Sequence, residues 1–198
     1  MNDFLKKLQE YDIVLASRSS RRHALLRQLD VKFRVAALDV KESFPANLNV
    51  SQVAEYISAQ KLKAFPANRL TERTLLITAD TIVAINNIIL GKPKTAQEAQ
   101  DMLEMLSGQE HKVITGVSMK LNHKEVSFSS TTRVKFKELT KEEIQYYVEE
   151  YQPFDKAGAY GIQEWIGKIA VEWIEGSFYN VMGLPIQNLY TEMIKIID

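Results

Sequence analysis

Apolar runs of strand length recur along the chain, separated by short polar stretches. D-I-V-L-A (12–16) reads as a first buried strand, and V-K-F-R-V-A-A (31–37) alternates apolar and basic residues like a half-buried one. Leu75 to Ile77 and then Ile82, Val83 and Ile85 form a longer run. It reverses at Asn86-Asn87 and returns through Ile88, Ile89 and Leu90. Two β-branched runs joined by a two-residue Asn-Asn turn predict a hairpin. Residues 111–121 and 125–136 predict two long strands joined through 122–124, and I-A-V-E-W-I (169–174) a further one.

Helical spacing appears between these runs. Ser19 or Ser20 can cap a helix carrying Ala24, Leu25, Leu26 and Leu29. Val53, Ala54, Ile57, Leu62 and Phe65 mark a helix over about 51–65. Thr95 with Glu98, and Thr140 with Glu143, have capping-box spacing. The first opens a helix that stops at Ser107-Gly108, and a closing helix is expected over about 185–197. No repeat, linker or low-complexity segment interrupts the order. The pattern predicts an α/β fold over 1–198 as a single domain, a mixed twisted sheet with flanking helices, elongated at most into two lobes.

Polar residues break the pattern at informative places. Asp80, between Thr78 and Thr81, interrupts a buried-looking strand. A carboxylate there is costly unless hydrogen-bonded, paired or metal-bound. The hairpin ends in Gly91-Lys92-Pro93, so one rigid element delivers an acid and a base, which suggests chemistry on a phosphate. At its most ordinary, Asp80 caps a turn and Lys92 is solvated. S-R-S-S-R-R (17–22) places Arg18, Arg21 and Arg22 at the mouth of a helix N-terminus. Cations are unfavourable there, whereas an anion is favoured by the free N–H groups and the dipole. Clustered guanidinium groups at that end therefore point to bound phosphate.

Composition narrows the function. Lys+Arg and Asp+Glu both number 25, a net charge of zero, which argues against a nucleic-acid surface. There is no cysteine, which removes disulfides, thiolate catalysis and zinc-thiolate sites. No apolar run approaches the ~20 residues of a membrane span, and the N-terminus lacks the pattern of a signal peptide, so a cytoplasmic place is expected. Gly91-Lys92 is not a P-loop, because Asn86 and Pro93 stand where that loop needs Gly and Ser or Thr. His23, His111 and His123 are scattered singly and predict no metal pair.

These segments, in this order, resemble the Maf-like nucleotide pyrophosphatase family. L-A-S-R-S-S-R-R (15–22) resembles its L-A-S-x-S-P-R-R, D-V-K-E (39–42) its D-x-x-E, and A-Q-K-L-K-A (59–64) its A-x-x-K-A. A-D-T-I-V (79–83) with L-G-K-P (90–93) resembles its A-D-T-x-V and G-K-P. L-S-G-Q-E-H-K-V-I-T-G (106–116), D-K-A-G-A-Y-G-I-Q (155–163) and E-G-S-F-Y-N-V-M-G-L-P (175–185) match three further blocks. The likeness runs from about residue 12 to 190. Ser20 departs from the usual proline, Tyr151-Gln152 from Gly-Glu, and Glu164 from glycine.

The resemblance implies a fold like that of inosine-triphosphate pyrophosphatases, with a nucleotide cleft between two lobes. It implies hydrolysis of a nucleoside triphosphate to the monophosphate and pyrophosphate. Asp80 would act as base, taking the water proton directly or holding the metal that acidifies it, with Glu42 and Asp80 as the candidate ligands for Mg²⁺ or Mn²⁺. Lys61 and Lys92 would screen the triphosphate, and Ser17, Ser19, Arg21 and Arg22 would hold its oxygens. Arg21, Thr81 and Gln163 match positions that mark the branch acting on dTTP and UTP. A 7-methyl-GTP pyrophosphatase, or a nucleotide-binding regulator of septum formation, is the alternative. No nucleic-acid or membrane partner is expected. A homodimer is left open, with Trp165 or Trp173 as interface candidates.

Overall fold

The computed structural model describes residues 3–198. Its seven strands form one mixed sheet of order β2-β1-β3-β5-β6-β7, with β4 paired to β3. The strands are β1 (Asp12–Ala16), β2 (Arg34–Ala36), β3 (Thr74–Ile85), β4 (Ile88–Leu90), β5 (Glu110–Leu121), β6 (Lys124–Phe136) and β7 (Val171–Glu175). β1 runs parallel to β2 and to β3, while β3–β4 and β6–β7 are antiparallel. The helices are α1 (Asp3–Leu8), α2 (Ser20–Arg27), α3 (Val50–Ala64), α4 (Ala96–Leu106), α5 (Lys141–Tyr151), α6 (Trp165–Ala170), α7 (Phe178–Met182) and α8 (Ile186–Ile197).

The chain divides into two compact units. One contains the chain up to Asp80, Thr115–Ser130 and Gly183–Asp198. Its core includes Val14, Ala16, Ala36, Leu62, Phe65 and Leu76, so α3 packs on the parallel strands. β1 and the first half of β3 lie at the sheet's centre, which is why they read as unbroken apolar runs. The other unit contains Thr81–Ile114 and Thr131–Met182. There α4 and α5 cover the sheet with Leu103, Leu106, Ile144 and Tyr147 against Val83, Val113 and Phe136. Among the described residues no helix is long and apolar enough to cross a membrane.

Local chemistry sets the joints. Asn86 and Asn87 both take positive φ, 49° and 64°, as a tight hairpin turn demands. Thr140 and Glu143 form the complete reciprocal capping box of α5. At α4 the box is half made: Thr95 accepts from Glu98 N, but Glu98 Oε2 accepts from Lys94 N at 2.7 Å instead of from Thr95.

The sequence pattern misplaces other features. β2 shrinks to three residues where seven alternate, and β3 passes through Asp80 unbroken. Ile169 and Ala170 end the short helix α6 instead of opening a strand. The turn of α6 sits so close to the preceding loop that a Cβ on Gly167 would lie 1.9 Å from Ile162 O. α1, α6 and α7 are too short to show helical periodicity.

Candidate active site

Three of the sequence-predicted residues meet. The Lys61 ammonium lies 2.6 Å from Asp80 Oδ1 and 2.7 Å from Glu42 Oε1. Lys61 comes from the last turn of α3, Asp80 from the middle of β3, and Glu42 from the loop after β2. Asp80 is buried, at 6 % exposure. Burial pushes its carboxyl above the ordinary range. Lys61 and Arg22 pull the other way, and Glu42 adds to the rise. A buried carboxylate held beside a cation, in a strand that is otherwise apolar, is placed as a candidate proton acceptor.

The loop after β1 lies in the same unit. Ser19 caps α2, accepting from Arg22 N at 3.5 Å, and Ser17 Oγ accepts from Ser19 N at 3.2 Å. Ser17 O receives the His23 imidazole at 2.8 Å, so His23 closes this loop. Arg22 does something its motif does not announce. Its Nε donates to Gly183 O at 2.7 Å and its Nη1 to Ala79 O at 2.8 Å. It thereby ties α2 to the strand carrying Asp80 while keeping its charge near that carboxylate. Arg21 follows on the first turn of α2, half-buried, and Arg18 pairs with Asp39 at 3.4 Å.

The remaining predicted residues fall in the second unit. Thr81 is half-buried on β3, and Lys92 is exposed just past β4. Gln163 lies in the turn before α6, and its buried Oε1 has no hydrogen-bond partner. Beside it is a buried network that the motifs did not single out. Lys156, itself buried, pairs with Asp155 at 2.7 Å and Glu164 at 3.1 Å. Tyr147 Oη donates to Glu164 and accepts from Gly161 N at 3.1 Å. Glu164, the departure from the family's glycine, is thus held from two sides. The signal was the density of polar residues at 152–164, but spacing alone does not reveal such partners.

Glu42 and Asp80 converge on one cationic centre, the Lys61 ammonium. Two carboxylates around a position that already holds positive charge are a hard-oxygen donor set. That set fits Mg²⁺ or Mn²⁺, which take one or two carboxylates and complete their shell with phosphate and water. Among the described residues no group of three or more His, Asp or Glu side chains gathers as a self-sufficient metal site. A metal held here would take its remaining ligands from outside the chain.

Comparison with known proteins agrees with the order of motifs. A family model described as Maf-like protein matches residues 12–196. A dTTP/UTP pyrophosphatase of Porphyromonas gingivalis is 48 % identical over 191 residues, 96 % of each chain. One of Bacteroides thetaiotaomicron is 50 % identical over 193 residues, 97 % of this chain and 100 % of the other. One of Phocaeicola vulgatus is 47 % identical with the same coverage. The solved structure of the Staphylococcus aureus Ham1 protein overlaps loosely, at TM-score 0.40 and 16 % identity over 63 % of this chain and 71 % of that one. With a family match over nearly its whole length and relatives near half identity, this chain belongs to the Maf-like protein family.

Proposed function

We propose that the chain, working as a single Maf-like domain over 1–198 in the cytoplasm, hydrolyses dTTP and UTP to the monophosphate and pyrophosphate. The observation that carries this is the Glu42–Lys61–Asp80 cluster, gathered around the buried Asp80 of β3, in a chain whose relatives bear that activity by name. A water oxygen bonds to the α-phosphorus as the bond to the β-phosphate bridging oxygen breaks. Pyrophosphate leaves with the electron pair, and Asp80 takes the water proton. Such catalysis is mostly positioning and charge neutralisation. Lys61 and Lys92 supply positive charge against the triphosphate. Ser17, Ser19, Arg21 and Arg22 hold phosphate oxygens at the mouth of α2. Glu42 and Asp80 would hold Mg²⁺ or Mn²⁺, which when bound would supply neutralisation of phosphate charge and acidification of water.

A thymine or uracil edge offers two carbonyl acceptors flanking one N–H donor. Gln163 carries both an acceptor and donors on one amide, and its buried Oε1 suits that N–H. Thr81 adds a hydroxyl, and Arg21 a further donor. Cytosine lacks the N3–H, so it leaves the acceptor unpaired and is rejected. The test is kcat/KM for dTTP, UTP, CTP, GTP and 7-methyl-GTP on one preparation, with products identified. The reading expects dTTP and UTP to lead, with pyrophosphate released. A clear lead for 7-methyl-GTP would place the chain in the other branch.

A further inference from the structure

Thr78 is fully buried on β3, just past the apolar run Leu75 to Ile77. Its hydroxyl donates to Ser58 O on α3 at 2.8 Å and lies 3.3 Å from Ser118 O on β5. Ser58 and Ser118 are also fully buried. Ser58 Oγ donates its single proton to Glu55 O at 2.7 Å. In the 2.8 Å contact between Ser58 and Ser118, Ser118 is therefore the donor. Ser127 then donates to Ser118, also at 2.8 Å. The result is a directed set of hydroxyl bonds joining α3 to β3, β5 and β6 within one unit.

The backbone contact behind it is equally close. A Cβ on Gly116 would stand 2.2 Å from Glu55 N and 2.3 Å from Ala54 C, so α3 lies directly on β5. Apolar packing alone permits small sliding of a helix over its neighbours. Directed bonds to a helix carbonyl do not. Thr78 and Asp80 are two apart on a strand and share a face. Ser58 and Lys61 are three apart on a helix and are neighbours on its surface. The Thr78–Ser58 bond and the Lys61–Asp80 pair are thus successive rungs of the same helix–strand contact.

We propose that Thr78, with Ser58 and Ser118, forms a hydroxyl clasp that sets α3 on β3 so that the Lys61 ammonium meets Asp80. Thr78 is then a positioning residue of the hydrolysis. The inference rests on the reading above, in which Lys61 and Asp80 run the reaction. None of the three hydroxyls is assigned a contact with substrate, so their loss acts on alignment at the reacting centre and not on ground-state binding.

The experiment compares kcat and KM for dTTP in the wild type, Thr78→Val, Thr78→Ser, Thr78→Ala and Asp80→Asn. Thr78→Val keeps the shape and removes the hydroxyl. It is expected to lower kcat by roughly 10–100-fold with KM within about twofold, the size of effect that a small misplacement produces. Thr78→Ser restores the donor and is expected to recover most of that loss. Wild-type kcat in Thr78→Val, or an equal loss in Thr78→Ser, overturns the clasp while a dead Asp80→Asn leaves the reading of Asp80 standing. An active Asp80→Asn overturns that reading and the clasp with it. If Thr78→Val does not fold, Thr78→Ala, which also lacks the hydroxyl, decides: lowered kcat at unchanged KM supports the clasp, and unchanged kcat overturns it.

Discussion

Lys61 Nζ and Asp80 Oδ1 stand 2.6 Å apart, and the same ammonium reaches Glu42 at 2.7 Å. One lysine therefore holds together two carboxylates that would otherwise repel, one of them buried. Removing it leaves Asp80 as a buried group without its nearest opposite charge. Lys61→Met is expected to lower stability at pH 7 by roughly 3 kcal/mol, the lower end for breaking a buried pair. Because the two carboxylates then share a vacant cationic position, added Mn²⁺ is expected to recover part of the loss through binding to the folded state. Urea melts with and without Mn²⁺ check both parts. A variant as stable as wild type, and indifferent to Mn²⁺, contradicts this view of the cluster.

Gln163 presents a buried acceptor with no partner among the described residues. A substrate N–H that fills it gains selectivity, because a base without that donor leaves the acceptor unpaired. Gln163→Ala removes the acceptor altogether. The ratio of kcat/KM for dTTP over CTP is expected to fall at least tenfold, on the order of one lost buried hydrogen bond. A ratio unchanged in the folded variant would show that base reading lies elsewhere.

His111 is buried among Phe136 and Tyr160, bonded through Nε2 to the Tyr160 hydroxyl at 2.8 Å, with Nδ1 unpartnered. Burial lowers its pKa from 6.5 to about 4. Between those values the unfolded chain binds the proton and the folded chain does not, so stability rises with pH across this window. Its contribution is fully present above pH 6.5 and is lost as pH falls toward 4, about 3 kcal/mol in all. His111→Phe cannot titrate. The difference in unfolding free energy between wild type and variant is expected to change across pH 4–6.5 and to be flat above it. A difference independent of pH over that range would mean His111 is not held neutral.

Much of this was legible in the sequence, for identifiable reasons. The central strands are buried on both faces and carry unbroken apolar runs, and Asn86-Asn87 and Thr140/Glu143 are local chemistry that needs no tertiary context. Asp80 was visible because a carboxylate in such a run demands a partner. Lys61 was not visible from pattern, since a lysine on an amphipathic helix looks like any solvated one. Only the family resemblance singled it out. The carbonyl of Gly183 that holds Arg22 is 161 residues away in sequence, and no spacing rule reaches it. Thr78 was named only as a neighbour of Asp80, and its acceptor on α3 exists only after packing. The Lys156–Glu164–Tyr147 network is hidden for the same reason.

The most direct measurement is pyrophosphate release from dTTP by wild type and Asp80→Asn, on preparations with matching thermal melts. If Asp80 is the base beside Lys61 and Glu42, the wild type releases pyrophosphate and dTMP in equal amounts. The variant is then slower by about 10²–10⁴-fold, the usual cost of a lost general base. Near wild-type release by Asp80→Asn, or a wild type that leaves dTTP intact, would contradict the account.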